Sequence, residues 1–427
     1  MGKVAKLPDD AFVVFLPSGR RGRFPRGTPV LRAARKLGVD IDSICGGRGI
    51  CGRCQVELAA GEYAKFGILS RPNHLTLPGE MERRYAESKG LRDGRRLGCA
   101  VRLQGDAVID VPPESQLHKQ IVRKDAEIRQ VEIDPLLCLH YLELAAPRLQ
   151  DPRNDVDRVI AAIGEQWGIA VTEFDPRLLR YLPAALRAGN WKATTAVREG
   201  RRLVAIRPGF HDRAFGLAVD VGTTTIAAHL CDLSTGEVVA ASGMMNPQIR
   251  FGEDLISRVS YIQQNPEERG ELAAEARRAV CELAEETARR AEVDTQDVHE
   301  VCIVGNSIMH HIFLGLDPVQ LGRAPFVLAV DRALTFAASD LDLHGLDPCA
   351  VVYTLPCIAG HVGADTSGVL LAEAPHRSDQ MTLIVDVGTN AEIVLGNRNR
   401  LLACSSPTGP AFEGAQISSG QRAAMGA

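Results

Sequence analysis

The sequence lacks several features that assign chains to common protein classes. It has no apolar run of the roughly 18 residues that a membrane-spanning helix needs, and its first apolar stretch, AFVVFL, is too short for a signal peptide. Its formal net charge is −4, whereas nucleic-acid binders usually have a basic excess. It contains no P-loop pattern. Its cysteines are odd in number and widely spread, which disfavours a secreted disulfide framework. We therefore expect a cytoplasmic protein of several domains.

Four of the eleven cysteines are distinguished by their spacing. Cys45, Cys51 and Cys54 lie in the glycine-rich stretch SICGGRGICGRCQVEL, and 44 residues separate Cys54 from Cys99. The remaining cysteines occur singly, and we expect them to be small buried side chains. They are Cys138, Cys231, Cys281, Cys302, Cys349, Cys357 and Cys404.

The same stretch contains Gly47-x-Gly49-x-x-Gly52, the spacing of a dinucleotide-binding loop. That loop must follow a strand and begin a helix. Here TPVLRAARKLGV predicts a helix before the glycines, with Thr28 as its N-cap, and QVELAAGEY predicts a strand after them. Because the order of elements is reversed, the dinucleotide interpretation fails.

The cysteine spacing C-x5-C-x2-C with a distant fourth thiol instead resembles that of plant-type [2Fe–2S] sites, with one extra residue in the first gap. A structural zinc site or a thioredoxin-like Cys51–Cys54 pair are the alternatives. The stretch resembles the ferredoxin family, which implies a β-grasp fold, α+β in class, over about residues 10–112. Cys99 is expected within a strand, and FGILSRPNHLTLPGEMERRY is interpreted as an insertion.

The region after the double proline of DVPPESQ carries no chemical signature. We expect a linker over 113–130 and a small α+β domain over 131–210, after a ferredoxin-like domain over 1–112. In the helix predicted there, five apolar side chains share one face. They are Val156, Val159, Ile160, Ile163 and Trp167.

The last region, 211–427, contains an internal repeat. GLAVDVGTTTIAAHL and TLIVDVGTNAEIVLG each predict a strand, a turn with glycine and a second strand. Such turns present backbone N–H groups and threonine hydroxyls that suit a phosphate, and a carboxylate there can hold Mg²⁺. Two ordinary hairpins are the alternative. The candidate phosphate-binding residues are Asp220, Gly222, Thr223, Thr224, Asp386, Gly388, Thr389 and Asn390, with Asp220 and Asp386 as Mg²⁺ candidates.

The repeat resembles the phosphate motifs of the acetate and sugar kinase/Hsp70/actin superfamily. Alternating predicted strands and helices between the two copies, including VHEVCIVGN and a long helix over 265–292, agree with an actin-like α/β ATPase domain. His310 and His311 are interpreted as structural residues. The chain stops soon after the second copy, so we expect an incomplete second lobe and a truncated chain.

The order of these domains resembles that of the reductive activators of corrinoid proteins. The resemblance also includes Asn246-Pro-Gln, Phe251-Gly-x-Asp254, Gly305-Asn306, Gly363-Ala364-Asp365 and GPAFEGAQISSGQRA. It implies an ATP-hydrolysing redox activator in the full-length protein, which returns cobalt(II) of a corrinoid protein to cobalt(I). Its implied cofactors are a [2Fe–2S] cluster and Mg-ATP, and its implied partners are a corrinoid protein, a low-potential electron donor and a second copy of the chain.

Three other functions remain open at this stage. The chain could be a plain electron-transfer protein with a regulatory or degenerate nucleotide-binding domain, or a small-molecule kinase with a redox sensor. A radical dehydratase activator is the third, but such activators hold a [4Fe–4S] cluster between subunits, which does not match four cysteines around one ferredoxin loop.

Overall fold

The computed structural model of the chain describes residues 10–39, 41, 43, 47–49, 51–112, 115, 133–252, 254–388 and 390–406. Cys45, Thr389 and the linker predicted over 113–130, apart from Ser115, lie outside these ranges, as does the stretch GPAFEGAQISSGQRA. Five sheets organise the described residues. None of the helices in these ranges is long and apolar enough to cross a membrane.

The first sheet has the β-grasp arrangement that the ferredoxin resemblance implies. Its strand order is β2-β1-β7-β3-β6, with β1 antiparallel to β2 and parallel to β7. Apolar side chains of the sheet and of α1 form one buried core. The elements are β1 (Asp10–Leu16), β2 (Arg21–Pro25), α1 (Val30–Lys36), β3 (Gln55–Leu58), β4 (Gly61–Tyr63), β5 (Ile68–Ser70), α2 (Glu80–Lys89), β6 (Arg95–Leu97) and β7 (Ala107–Asp110).

Two sequence-based expectations in this domain are wrong. Thr28 does not cap α1, because the N-cap residue is Pro29. The Thr28 hydroxyl donates instead to the carbonyl oxygen of Pro25 at 2.6 Å. Cys99 does not lie in a strand. β6 ends at Leu97, and Cys99 occupies the turn that follows. Its side chain is therefore not restricted to one of the two faces of the sheet.

The second sheet belongs to the small α+β region. Its strand order is β8-β10-β11-β9, and α3 and α4 cover it. Of the predicted apolar face of α3, Val159 and Ile163 are fully buried, but Trp167 is 49% exposed and donates from Nε1 to the carbonyl oxygen of Tyr141. The elements are β8 (Leu137–Glu143), α3 (Asp155–Trp167), β9 (Glu173–Phe174), α4 (Leu182–Ala188), β10 (Lys192–Arg198) and β11 (Arg202–Pro208).

The third sheet is the centre of an α/β lobe. Its order is β14-β13-β12-β15-β17-β16, and its apolar residues form the largest cluster of the chain with those of three helices, α5, α6 and α7. The elements are β12 (Phe215–Val221), β13 (Thr225–Asp232), β14 (Val238–Met245), α5 (Leu255–Gln264), α6 (Arg269–Ala291), β15 (Val298–Val304), α7 (Ser307–Leu314), β16 (Leu334–Ala337), β17 (Val351–Thr354) and α8 (Ala364–Glu373).

A meander of three antiparallel strands follows α8. It consists of β18 (Thr382–Val387), β19 (Ala391–Asn397) and β20 (Arg400–Ser406), and the second sequence repeat forms the β18–β19 hairpin. The register places Leu383 beside Leu395 and Leu395 beside Leu402. These three side chains, which we call the leucine row, are each more than two fifths exposed.

The ferredoxin-like domain packs against the α/β lobe through α1. Arg32 donates to Glu268 at 2.6 Å, and the Lys36 ammonium lies 2.6 Å from a carboxylate oxygen of Glu271. The guanidinium of Arg35 lies 4.7 Å from the ring centre of Tyr261. We call these contacts, made by Arg32, Arg35 and Lys36 with Tyr261, Glu268 and Glu271, the docking interface.

Candidate functional site

The two sequence repeats meet at one cleft. It has a volume of about 370 Å³ and receives the turns of the β12–β13 and β18–β19 hairpins, as predicted for a phosphate site gripped from both sides. Every candidate phosphate-binding residue within the described ranges lines it: Asp220, Gly222, Thr223, Thr224, Asp386, Gly388 and Asn390.

The first turn is held in place from behind. A Cβ atom on Gly222 would lie 2.5 Å from the carbonyl oxygen of Thr225, so only glycine fits this turn. Asn246, fully buried, donates from its side chain to Gly222 O at 2.7 Å and from its backbone to Thr224 O at 2.8 Å. Arg258 of α5 donates to Thr223 O. Because these contacts occupy the carbonyl oxygens, the opposite side of the turn is left to face the cleft.

Two further loops complete the rim. Asn306 caps α7 by accepting from Met309 N at 3.0 Å, and its Nδ2 donates to the Thr223 hydroxyl at 3.0 Å. A Cβ atom on Gly363 would lie 2.5 Å from Cα of Asn306, so the loop before α8 approaches this cap as closely as backbone allows. The motifs Gly305-Asn306 and Gly363-Ala364-Asp365 thus meet beside the turn between β12 and β13, the candidate phosphate-binding turn that we call the phosphate turn.

Four carboxylates make the cleft strongly negative: Asp220, Asp365, Asp386 and Glu392. Burial raises the pKa of Asp365 to about 7, and the charges of Glu392, Asp220 and Asp386 act in the same direction. Burial likewise raises the pKa of Glu392. An anionic nucleotide therefore needs a cation to enter this cleft.

Both hairpins contribute a carboxylate to the cleft, Asp220 from the first and Asp386 from the second. Within the described ranges, no three His, Cys, Asp or Glu side chains lie close enough together to hold a metal ion directly. Mg²⁺ commonly keeps several waters and binds through one or two carboxylates together with phosphate oxygens. The cleft fits that mode.

His311 has the satisfied, structural role that we expected, whereas both ring nitrogens of His310 are buried without a hydrogen-bond partner among the described residues. His311 is fully buried, with Nδ1 2.8 Å from Ser307 O and Nε2 accepting from Ala329 N at 3.0 Å. His310 is also buried, and burial lowers its pKa to about 4. Both rings are therefore neutral parts of the lobe at neutral pH.

The turn that bears Cys99 lies beside the cysteine loop, at the end of the first sheet where β3 begins and β6 ends. Gly98 N donates to Cys54 O at 2.7 Å, which holds the turn bearing Cys99 against the cysteine loop. A Cβ atom on Gly47 would lie 3.8 Å from the Cβ atom of Cys99. Cys54 is buried, whereas Cys51 and Cys99 are partly exposed. Cys45, the remaining predicted ligand, lies outside the described residues.

The loop glycines have a conformation that only glycine adopts readily. Gly47, Gly49 and Gly52 have φ values of 91°, 72° and 68°. The predicted insertion covers Gly49 and Gly52, since a Cβ atom on Gly49 would collide with Met81 and one on Gly52 with Tyr85, both on α2. Glu82 fixes α2 to β6 by accepting from Arg96 at 2.7 Å and from Leu97 N at 2.9 Å.

Arg35 provides a test of whether an anionic cluster fits here. Its side chain is 5% exposed, and its Nε and Nη2 atoms have no hydrogen-bond partner among the described residues. Burial lowers its pKa, and the thiolates of Cys54 and Cys99 are among the charges that oppose this shift. A buried cation without a carboxylate partner is costly. Because a cluster with four thiolate ligands is negative, it would supply the missing counter-charge, so the residues fit the group.

The seven remaining cysteines only partly match the expectation of burial. Cys281, Cys349 and Cys357 are buried, Cys231 and Cys302 are intermediate, and Cys138 and Cys404 are exposed.

Four family models match the chain in succession. A 2Fe-2S iron-sulfur cluster binding domain matches residues 15–104, the RACo linker region matches 126–213, the RACo middle region matches 215–378, and the C-terminal domain of RACo, the ASKHA domain, matches 380–427. These matches follow the order of sheets described above.

Individual proteins agree with these matches. The corrinoid activation enzyme RamQ of Eubacterium limosum is 27% identical over 92% of this chain and 60% of its own length. The [Co(II) methylated amine-specific corrinoid protein] reductase of Methanosarcina barkeri is 28% identical over 50% of this chain and 40% of its own. A solved structure, the reductive activator for corrinoid,iron-sulfur protein, is 31% identical with a TM-score of 0.60, over 96% of this chain and 65% of that one. The chain thus spans less than two thirds of the length of these relatives.

The fold and the two sites define a redox protein in which a [2Fe–2S] ferredoxin domain is joined to an ASKHA-type lobe. The chain belongs to the RACo family, whose linker, middle and C-terminal region models together match more than half of it.

Sequence reasoning left several residues of these sites without a role. Asn306 and Asp365 enter the sequence analysis only as parts of motifs that resemble the family. Asn306 follows β15 and Asp365 lies in the first turn of α8, and such positions at the ends of strands and helices indicate residues that can line the cleft. Glu392 and Arg35 were not singled out at all. A charged residue among the apolar positions of a short helix, as in VLRAARK, is the signal that could have found Arg35.

Proposed function

We propose that the protein is an ATP-dependent reductive activator, which returns the cobalt(II) of a corrinoid protein to cobalt(I) by one-electron reduction. Cys45, Cys51, Cys54 and Cys99 hold the [2Fe–2S] cluster, and the cleft between the two hairpins binds Mg-ATP. The corrinoid protein and a low-potential electron donor are its partners. Its place is the cytoplasm, where thiols stay reduced. From the family resemblance we also propose that the protein forms a homodimer with a second copy of its chain.

The observation that carries this proposal is that one helix contacts both the candidate phosphate-binding turn and the ferredoxin-like domain. On α5, Arg258 donates to Thr223 O in the phosphate turn, and Tyr261 packs on Arg35 of the ferredoxin-like domain. A protein that only shuttled electrons, with an unrelated nucleotide-binding domain attached, would not need such a shared element.

The energetics give a reason for two sites in one chain. When bound, a plant-type [2Fe–2S] cluster supplies one electron at about −400 mV. Each 59 mV by which cobalt lies lower costs about a factor of ten in a one-electron equilibrium. Closure of the cleft on Mg-ATP, with Thr223 and Asn306 on one side and Gly388 and Asn390 on the other, is a source of free energy that can change how a partner docks.

The test is an anaerobic reduction assay. The reduced protein is mixed with a cobalt(II) corrinoid protein, and the cobalt(I) absorbance is followed with and without Mg-ATP. We expect cobalt(I) to form only with Mg-ATP, and neither Cys54→Ser nor Asp220→Asn to support it. Equal signals with and without nucleotide would instead indicate a plain electron-transfer protein. ATP consumption that requires a sugar or acyl substrate would indicate a redox-sensing kinase.

A further inference from the structure

Arg35 differs from its two basic neighbours on α1 in how its charge is compensated. Arg32 and Lys36 are each about two fifths exposed and pair with the carboxylates of Glu268 and Glu271. Arg35 is almost fully buried, and none of the described carboxylates forms an ion pair with it. Its charge is therefore not neutralised within the docking interface.

Aromatic side chains of the α/β lobe cover the guanidinium of Arg35. Its carbon atom lies 4.7 Å from the ring centre of Tyr261 and 6.0 Å from that of Phe251. Both rings are nearly inaccessible to water. The α/β lobe, which contains none of the proposed cluster ligands, thus keeps water away from a cation in the ferredoxin-like domain.

The backbone connects α1 rigidly to the cysteines. Leu31 N donates to Gly98 O at 2.8 Å, and Gly98 N donates to Cys54 O at 2.7 Å. A Cβ atom on Gly98 would lie 3.0 Å from Cys54 O, so the absence of a side chain at Gly98 is what permits this close approach. The position of α1 relative to the loop that bears Cys54 is consequently held by main-chain hydrogen bonds.

We infer that Arg35 is a positioning charge that raises the reduction potential of the cluster. Docking of the ferredoxin-like domain on α5 maintains this effect because it excludes water from the Arg35 guanidinium. One-electron reduction adds one negative charge to the cluster. A nearby buried cation stabilises that added charge more than an exposed cation does, because the surrounding medium screens it less. Opening the docking interface lets water screen Arg35, so the potential falls and the cluster becomes a stronger reductant.

This inference rests on the cluster proposed above but not on ATP or the corrinoid protein. The measurement is a redox titration of the visible absorbance of the full chain after anaerobic reconstitution with iron and sulfide, without nucleotide or partner. A wild-type chain that shows no cluster spectrum would overturn this inference together with the proposed cluster. A normal spectrum with failed cobalt reduction would overturn only the proposed function.

Three variants test the role of the charge. In Arg35→Gln we expect the ratio of reduced to oxidised cluster, at a fixed potential, to fall about tenfold, which is a midpoint about 59 mV more negative. Arg35→Lys keeps the charge and should retain most of the wild-type potential. Arg23→Gln removes an exposed arginine of the same domain and should leave the midpoint unchanged. An unchanged midpoint in Arg35→Gln, or equal shifts in all three, would overturn the inference.

A neutral substitution in the other domain tests the role of docking. Tyr261→Leu removes the ring that covers Arg35 without changing any charge, and we expect it to lower the midpoint in the same direction as Arg35→Gln. The double variant should then show little further shift, because both changes act on one interaction. No shift of the midpoint in Tyr261→Leu, or additive shifts in the double variant, would contradict the claim that docking maintains the effect of Arg35. The Tyr261→Leu measurement tests this claim even if Arg35→Gln fails to fold.

Discussion

Arg258 of α5, fully buried, donates a hydrogen bond to the carbonyl oxygen of Thr223 in the first phosphate turn. The same guanidinium donates from Nε to Gly252 O at 2.9 Å and from Nη1 to Gln248 Oε1 at 3.1 Å. One side chain therefore ties the phosphate turn to the loop before α5. Without it, several buried acceptors would lose their donor.

The first prediction concerns this arginine. Arg258→Met keeps the apolar stem but leaves those acceptors unsatisfied, so we expect the free energy of unfolding to fall by about 2–4 kcal/mol. The melting temperature of the lobe, followed by circular dichroism, measures this change. Arg269→Met is the matched control, since Arg269 is exposed and lies 3.9 Å from Asp317; it should change stability by at most about 0.5 kcal/mol. Similar losses in both variants would contradict the prediction.

The second prediction concerns pH. The pKa of Asp365 is raised to about 7 in the folded protein from its ordinary value of 3.8. The folded state therefore binds more protons than the unfolded state between these values, and the free energy of unfolding falls as pH rises through this window. We expect Asp365→Asn to remove part of this dependence, on the order of 2 kcal/mol between pH 5 and pH 8. Thermal melts of both proteins across that range are the measurement, and parallel curves would refute the assignment.

A third prediction uses two glycines with opposite surroundings. Gly363→Ala would place a Cβ atom 2.5 Å from Cα of Asn306 and must push the two rim loops apart, whereas Gly270, near the start of α6, has open space around it. We expect Gly363→Ala to weaken Mg-ATP binding by about tenfold or more. Gly270→Ala should bind like the wild type and be slightly more stable, because alanine favours helix. Calorimetric titration distinguishes the two, and equal affinities would contradict the packing argument.

The fourth prediction concerns the cluster ligands. Each of the serine variants at Cys45, Cys51, Cys54 and Cys99 should lose most of the visible absorbance of the [2Fe–2S] cluster, since a serine oxygen is a poor substitute for a thiolate. Cys404→Ser is the control, because Cys404 is exposed and lies on β20. Iron and sulfide content after anaerobic reconstitution measure the difference. Full cluster content in any of the four variants would remove that residue from the ligand set.

Much of the architecture could be predicted because it is local in the sequence. Both hairpins, with Asp220 and Asp386 just before their turns, follow from apolar strands that flank a glycine. The long helix α6 begins and ends close to the bounds that its polarity indicates. The shared cleft also follows, once the two repeats are assumed to face each other.

The remainder depends on contacts between segments that are far apart in the sequence. Thr28 lacks its predicted capping role because the helix begins one residue later, with Pro29 at the N-cap and no side-chain cap. The role of α2 could not be predicted either, since the glycines that Met81 and Tyr85 cover lie about 30 residues earlier in the chain. The burial of Arg35 depends on a helix more than 200 residues away, and no local pattern encodes such a partner.

The leucine row on β18–β20 has a practical consequence for work with this polypeptide. Three neighbouring leucines expose apolar surface to water on an antiparallel sheet. Exposed apolar surface on a sheet favours association between copies of the chain, which increases with protein concentration. Light scattering over a dilution series would reveal it, and kinetic data should be compared only at matched protein concentrations. A lysine in place of Leu395, at the centre of the row, would place a charge among the exposed leucines and should reduce this self-association.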